Sequence, residues 1–243
     1  MVKEYDIQEA SLIIDVNPQT LRRWDNNKIL PARRNSEKGH RYYYEDDLEE
    51  FLSKNYKYLL NMASRWSFSK SAVTILSKFY CQDAYIFKGR LNKLELALQS
   101  DQVLADNFSL VTSSIGEIGN NSFDHNIGKW PNVPGIFFGY NLAERKIIIS
   151  DRGQGVLATL RTVKPSLSSD KEALLTAFTE VISGRSPESR GNGLKYVKKM
   201  IQKIGAKLEF HSGKNIVEIN GNKGLIIKDT TKEMRGCFVI LSY

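Results

Sequence analysis

Three consecutive isoleucines, Ile147 to Ile149, run directly into the turn sequence DRGQG. Isoleucine favours extended structure, so the run predicts a strand in a well-buried sheet. Gly153 and Gly155 allow the backbone to turn sharply where the strand ends. Asp151 would then lie at the mouth of the sheet, where its carboxylate can accept a hydrogen bond from an exocyclic amine. Because DxGxG turns are common, this feature alone does not identify a function.

The segments around this strand are predicted to form a sheet covered by helices. Apolar residues repeat at helical spacing over residues 108–126 and 194–204. Two further helical patterns are predicted within residues 56–107: Ala72, Ile75, Leu76 and Phe79, then Leu91, Leu94, Leu96 and Leu98. The predicted strands are 135–140, 146–150, 207–211, 225–228 and 237–241. Helices grouped with consecutive strands favour an α/β sandwich in which helices cover one sheet face.

An acid, an amide and an imidazole are spaced four residues apart in the sequence EIGNNSFDH. Glu117, Asn121 and His125 therefore share one face of the predicted helix. The simpler alternative is a polar surface stripe.

A third polar segment, SRGNGLKYVKKMI, places Gly191 and Gly193 just before an amphipathic helix. Backbone N–H groups and the helix dipole favour a phosphate at such a position, and Arg190 can add a charged contact. The alternative is an ordinary helix-capping turn.

The order of these segments, together with the closing strand GCFVIL, resembles the GHKL superfamily of ATPases, the histidine-kinase, gyrase and Hsp90-type fold. The likeness covers residues 108–243. It matches EIGNNSFDH to the N box, DRGQG to the G1 box and RGNGL to the G2 box. The expected fold class is therefore α+β, with a C-terminal α/β sandwich of the GHKL type.

The resemblance implies a site for ATP and Mg²⁺. Asn121 would hold the Mg²⁺, Glu117 would be the catalytic residue that polarises the attacking water or acceptor, and Asp151 would bind the adenine amino group. Residues 156–190 would form a lid over the nucleotide. The residues implied to contact the cofactor are Asn121, Asp124, His125, Asp151, Gly153, Gly155, Val156, Arg190, Gly191, Asn192, Gly193 and Leu194.

Histidine kinases carry a phosphoacceptor histidine on a helical hairpin before the ATPase domain. Residues 56–107 contain no histidine, so autophosphorylation of that kind is excluded on this chain. Two enzymatic alternatives stay open. One is a protein kinase that acts in trans on a partner, as an anti-sigma-type or toxin–antitoxin component would. The other is a simple ATPase in which Glu117 activates water.

The amino-terminal residues are predicted to form a helix-turn-helix. A helix over 5–15 is followed by Asn17-Pro18, a cap and first-turn proline, and by a second helix over 18–26. Residues 29–44 suit a small hairpin or wing, and 45–52 a helix with acids in its first turn.

This stretch resembles the MerR-type winged helix-turn-helix through TLRRW, the Leu-Pro step and GHRYY. Residues 1–55 would be the DNA-binding domain and 56–107 a helical connector that permits dimerisation. The implied contacts with double-stranded DNA are Thr20, Arg22 and Arg23 in the major groove, and Arg33, Arg34, Lys38, His40 and Arg41 on phosphates. The alternative is a module that binds protein instead.

Composition is consistent with a polyanionic partner, since the net charge is +8 and the pI is about 9.3. Residues 1–55 nevertheless contain 9 Lys and Arg against 11 Asp and Glu. With two distant cysteines and three histidines, neither a disulfide framework nor a histidine metal centre is expected. No secretory leader or membrane-spanning helix is predicted, so a cytoplasmic location is expected. Together, the two resemblances predict an ATP-controlled DNA-binding regulator.

Overall fold

The computed structural model describes residues 3–36, 39–71, 73–101, 104, 107–181 and 193–243. Its helices are α1 (Ile7–Ile14), α2 (Pro18–Asn26), α3 (Glu45–Lys54), α4 (Tyr56–Phe68), α5 (Ala84–Gln99), α6 (Phe108–Asn126), α7 (Gly155–Arg161), α8 (Asp170–Thr179) and α9 (Gly193–Lys203). Its strands are β1 (Glu4–Asp6), β2 (Tyr42–Tyr44), β3 (Tyr80–Cys81), β4 (Ile136–Asn141), β5 (Lys146–Asp151), β6 (Lys207–Asn220) and β7 (Leu225–Ser242).

The amino-terminal part, residues 3–55, forms a helix-turn-helix closed by a two-stranded sheet. We call it the head. β1 pairs antiparallel with β2. Asp6 caps α1 through a capping box with Glu9, so the helix begins at Ile7 and not at Tyr5 as predicted. Asn17 caps α2, and Pro18 occupies its first turn.

The predicted wing is a short hairpin in the structure. Within the described residues, its two arms pair through a single bridge between Arg33 and Tyr42, the first residue of β2. α3 follows directly, with three acids in its first turn, where they stabilise the positive end of the helix dipole.

The carboxy-terminal part contains a five-stranded antiparallel sheet in the order β3-β4-β5-β7-β6. Three closing strands were predicted, but β6 and β7 are two long strands. The gap predicted between 228 and 237 is wrong because this part of β7 continues as a hairpin with β6. Its side chains are mostly exposed, so their polarity hid the strand pattern.

Helices cover both faces of this sheet, whereas one covered face was expected. Side chains of α5, α6, α8 and α9 pack on one face. On the other, Leu59, Met62 and Trp66 of α4 share a core with Phe137 and Ile148. Because strand residues alternate between faces, the neighbours of these two side chains point into the opposite core.

The helix predicted around Ile75, Leu76 and Phe79 is wrong. These residues form irregular structure and a single 3₁₀ turn before β3, while Ala72 lies outside the described residues. The Glu45 carboxylate accepts hydrogen bonds from the Ser77 N–H and hydroxyl, both at 2.8 Å, which holds this segment against α3. The helices predicted for the leucine-rich stretch and for residues 108–126 and 194–204 are confirmed as α5, α6 and α9.

The core of the head continues into the core under the second face of the sheet. Buried residues of α1, α2 and α3 form one cluster with α4 and with Phe137, Ile148, Met234 and Phe238. α4 and the end of α3 therefore connect the head to the sheet, since the Asn141 side chain of β4 also donates to the Ser53 carbonyl at 2.9 Å. No helix among the described residues is long and apolar enough to cross a membrane.

Candidate functional site

Helix α6 brings together the polar segments that were predicted to act jointly. The first contact is between α6 and the end of β5, where the Ser122 hydroxyl donates to Asp151 Oδ2 at 2.8 Å. The Gly153 N–H donates to Asp151 Oδ1 at 2.8 Å, and Cys237 contributes further hydrogen bonds from its N–H and thiol. Asp151 therefore fixes the end of β5 to both α6 and β7.

The carboxylate of Asp151 lies deep in the protein, with only 2% of the residue exposed. This burial raises its pKa from 3.8 to about 6, although the hydrogen bonds from Gly153, Ser122 and Cys237 act in the opposite direction. The sequence predicted a carboxylate open to a ligand. The structure instead surrounds it with protein donors.

The turn after β5 packs on the carboxy-terminal end of α6. The Gln154 N–H donates to Asn126 Oδ1 at 2.9 Å, and the Gln154 side chain donates to the His125 carbonyl at 2.7 Å. A Cβ on Gly153 would lie 2.2 Å from the Asn126 side-chain amide, so glycine is required for this close approach. Gly155 has φ of 81°, the left-handed region that favours glycine, and begins α7.

The start of α9 approaches the acid and amide of α6. A Cβ on Gly193 would lie 2.8 Å from Glu117 Oε2 and 3.2 Å from Asn121 Nδ2. Glu117 and Asn121 are half-buried, as are His125, Val156 and Leu194, and Asp124 is exposed. Arg190, Gly191 and Asn192 lie outside the described residues, as does the part of the predicted lid from 182 to 190. The described part of that lid contains α7 and α8.

Several residues of this site were missed by the sequence analysis. Ser122, Asn126, Gly236 and Cys237 surround Asp151 and the turn after it. Ser122 carried a usable signal, since it lies four residues after Ile118 on the apolar side of α6. A polar residue on a buried helix face needs a partner. Gly236 gave no such signal.

Metal binding at this site would depend on very few protein ligands. Among the described residues, no group of three His, Cys, Asp or Glu side chains could hold an ion. Within the part of the chain that the structure describes, Glu117 and Asn121 present side-chain oxygens to Gly193 at the start of α9.

The head places its predicted groove-reading residues on α2. Leu21 and Trp24 are buried, whereas Arg22 and Arg23 are exposed and Thr20 is half-buried. Neither arginine has a carboxylate within ion-pair distance among the described residues.

The arginines of the wing, by contrast, are engaged within the head. Arg33 pairs with Asp47 at 2.9 Å and lies over the Tyr44 ring. Arg34 and Arg41 both pair with Asp25. His40 is exposed, and Lys38 lies outside the described residues.

Asp25 organises the wing, which the sequence analysis did not anticipate. Burial acts to raise its pKa, but hydrogen bonds from the Ala32 N–H, Arg41 and Arg34 outweigh it and lower the pKa below 3.8. Asp25 directly follows the buried Trp24. Its position in the sequence did not indicate that two arginines of the wing would form ion pairs with it.

Two comparisons with known proteins bear on this chain. The family model described as MerR HTH family regulatory protein matches residues 5–61. The chain is also similar to the Type II methyltransferase M.Eco47II of Escherichia coli, with 29% identity over 77 residues, which is 32% of this chain. The matched part spans only 18% of the methyltransferase's length. Residues 5–61, which include nearly all of the head and the start of α4, are a MerR-family helix-turn-helix domain of the kind that binds DNA in regulators.

Proposed function

We propose that this chain is a DNA-binding transcription regulator whose carboxy-terminal part binds ATP and Mg²⁺ at α6. The head supplies contacts to double-stranded DNA. The nucleotide site comprises the polar face of α6, the turn after β5 and the start of α9. A GHKL-type function of this part is supported by the resemblance and by the contacts of these three segments.

One observation carries the nucleotide site: the turn after β5 and the start of α9, which are far apart in the sequence, both contact α6. Asp151 bonds to Ser122, Gly153 packs on Asn126, and Gly193 approaches Glu117 and Asn121. A structural role explains each contact separately. Their convergence on one helix, in the order that the resemblance requires, favours a ligand that spans all three.

The chemistry of the residues fits such a ligand. Asn121 can give a side-chain oxygen to Mg²⁺, and the glycine at the start of α9 lets phosphate oxygens approach the backbone. ATP with Mg²⁺ would supply the phosphates and the remaining metal ligands. Glu117, next to the start of α9, can orient a water or an acceptor hydroxyl.

Binding of an adenine amino group to Asp151 requires a local exchange of hydrogen bonds. A carboxylate has about four lone-pair sites, and Gly153, Ser122 and Cys237 already donate to them. The Ser122 hydroxyl can rotate, and its alternative acceptor is the Ile118 carbonyl at 3.3 Å. We therefore expect Ser122 to turn toward Ile118 when a nucleotide binds.

Calorimetric titration with ATP and Mg²⁺ tests the site. We expect the wild-type chain to bind and Asp151→Asn to bind at least about tenfold more weakly, since one good hydrogen bond to a charged group is worth roughly 1.5–3 kcal/mol. Glu144→Gln is the control because Glu144 is exposed in the turn between β4 and β5. Absence of binding by the wild-type chain, or equal binding by Asp151→Asn, would refute the proposal.

The fate of the γ-phosphate is decided by one further experiment. The wild-type chain and Glu117→Ala are incubated with γ-labelled ATP, alone and with the product of the adjacent gene. Free phosphate indicates an ATPase, and label on the second protein indicates a kinase acting in trans. Retention of all label on ATP would mean that the nucleotide is only sensed.

ATP can control the head only if it binds two conformations with different affinity. Gel-shift titrations on the chain's own upstream DNA, with and without ATP, measure this difference. Equal DNA affinities would exclude the control by ATP and leave DNA binding intact.

DNA binding of this type usually involves two half-sites, so we also propose a homodimer. α4 packs against the sheet of its own chain, which leaves another surface to form the dimer. Light scattering at several protein concentrations distinguishes a dimer from a monomer.

A further inference from the structure

Two sets of cations near the head differ in their partners. The wing arginines Arg33, Arg34 and Arg41 pair with carboxylates of the head. A second group, Arg23, Lys57 and Lys232, has no carboxylate within ion-pair distance among the described residues. Cations without an internal counter-charge can bind a phosphate without first breaking an ion pair.

These three cations line one cleft although they come from distant parts of the sequence. Arg23 lies on α2, Lys57 at the start of α4, and Lys232 on β7 of the carboxy-terminal sheet. The cleft has a volume of about 760 Å³. All three side chains are exposed, so they are accessible to a large ligand.

The only acidic residue lining this cleft within the described structure is Asp15. Its carboxylate accepts a hydrogen bond from Asn61 Nδ2 at 2.7 Å and lies 3.6 Å from Arg65 Nη1. The negative charge of Asp15 is therefore partly compensated, and the side chains that line the cleft have a net positive charge. Thr20, Asn61 and Ser64 add neutral side chains that can donate to phosphate oxygens.

We propose that this cleft binds the sugar-phosphate backbone of the DNA held by α2, and that Lys232 extends the DNA-binding surface beyond the MerR-family domain onto the sheet. The inference rests on DNA binding by the head. The matched domain ends at residue 61, so nothing in the family match assigns a DNA contact to Lys232.

The position of Lys232 is defined by the contacts around it. Its Nζ lies 5.1 Å from the centre of the Phe68 ring at the end of α4, and its backbone N–H donates to the Thr230 hydroxyl at 3.1 Å. Lys57 lies at the other end of the same helix. At a rise of 1.5 Å per residue, Lys57 and Phe68 are about 16 Å apart along α4. One DNA strand advances by that distance in roughly five nucleotides.

The test is the salt dependence of binding to a labelled duplex of the chain's own upstream DNA, measured by fluorescence anisotropy. Each phosphate contact contributes about −0.9 to the slope of log Kobs against log salt concentration. We expect Lys232→Ala to reduce the magnitude of that slope by about 0.9 and to weaken binding equally for duplexes of different sequence. Lys232→Arg, which keeps the charge, should keep the slope.

Two lysines provide matched controls. Lys228→Ala changes a residue on the same strand that is paired with Glu218 at 2.7 Å. Lys88→Ala changes an exposed residue of α5, which packs on the opposite face of the sheet. Both should bind DNA with the wild-type slope, and thermal melting of each variant checks that it folds.

The outcomes distinguish this inference from the DNA binding on which it rests. A slope for Lys232→Ala equal to that of the wild type, with DNA binding intact, overturns the inference alone. A wild-type chain that does not bind duplex DNA overturns the function of the head and the inference with it. An equal loss of slope in Lys88→Ala would mean that net charge, and not this cleft, determines binding.

Discussion

Asp151 and Arg152 are consecutive residues whose side chains contact helices on opposite faces of the sheet. Asp151 accepts a hydrogen bond from Ser122 of α6, and Arg152 donates one to the carbonyl of Trp66 in α4. Arg152 also donates to the Ser71 carbonyl and to Asn132 Oδ1, both at 3.3 Å. These two adjacent residues therefore connect the proposed nucleotide site to α4, the helix that packs against the head.

The first prediction concerns Arg152, which is only 3% exposed. Arg152→Met keeps much of the stem that packs on Trp66 but removes the donors to two carbonyls. Because buried acceptors without partners are costly, we expect the free energy of unfolding to fall by about 1–3 kcal/mol. Denaturant unfolding followed by intrinsic fluorescence measures this loss.

Arg161→Met is the matched control for that measurement. Arg161 also donates to two backbone carbonyls, those of Leu167 and Ser168, but it is exposed, and water can replace its donors. A loss of about 0.5 kcal/mol or less is expected for this variant. Equal losses in the two variants would contradict the role given to Arg152.

The second prediction concerns the pH dependence of stability. The pKa of Asp151 is about 6 in the folded chain and 3.8 when exposed, so the folded state retains this proton over that interval. The stability contributed by Asp151 is complete below pH 3.8 and is lost as pH rises through about 6. The shift corresponds to a loss of about 3 kcal/mol.

Asp151→Asn cannot ionise and therefore removes this dependence on pH. We expect the stability of the variant relative to the wild type to increase as pH rises from about 4 to about 6. Urea titrations of both proteins at several pH values in that range give the difference. A difference that does not change with pH would show that Asp151 titrates normally.

The third prediction uses two glycines with opposite surroundings. A Cβ on Gly236 would lie 2.3 Å from Asp151 Oδ1 and 2.7 Å from the Gly153 nitrogen, so Gly236→Ala must displace the turn after β5. We expect it to destabilise the chain by roughly 1–3 kcal/mol and to weaken ATP binding.

Gly89 is in the middle of α5, and no atom lies within 4 Å of the position that an added Cβ would take. Gly89→Ala should therefore stabilise the chain by roughly 0.5–1 kcal/mol, because alanine loses less conformational entropy in a helix. Thermal melting of both variants distinguishes these opposite effects. Stabilisation by Gly236→Ala would contradict the packing at Asp151.

Local patterns in the sequence predicted much of the fold. The apolar pattern of four elements was a strong signal, because each of them buries apolar side chains in the core. These elements are α5, α6 and α9, with helical periodicity, and β5, with its run of isoleucines. These features depend on short stretches of chain.

The rest depends on contacts between distant residues and could not be read from local patterns. Nothing in α4 indicated that it would cover the second face of the sheet, because an amphipathic helix does not identify its partner. Arg152 lies within the turn sequence DRGQG and was not singled out. It donates to the backbone carbonyls of Trp66 and Ser71, and no side-chain pattern predicts a contact with a backbone carbonyl. Asp25 accepts from two arginines of the wing, a contact that only the folded hairpin creates.

The last prediction concerns the ion pair between Arg33 and Asp47 at the wing. Their Nε and Oδ2 atoms are 2.9 Å apart, and the two side chains are 48% and 30% exposed. Exposed pairs of this kind contribute little to stability. Asp47→Asn should therefore leave the melting temperature nearly unchanged while it removes a negative charge from the wing and releases Arg33.

If the wing contacts phosphates, Asp47→Asn should bind duplex DNA more tightly and with a steeper salt dependence. Asp46→Asn is the matched control, because it removes the same charge from the neighbouring exposed position, and no arginine pairs with Asp46 among the described residues. A gain confined to Asp47→Asn assigns the effect to Arg33. The same gain in both variants would assign it to net charge, and no gain in either would place the wing away from the DNA.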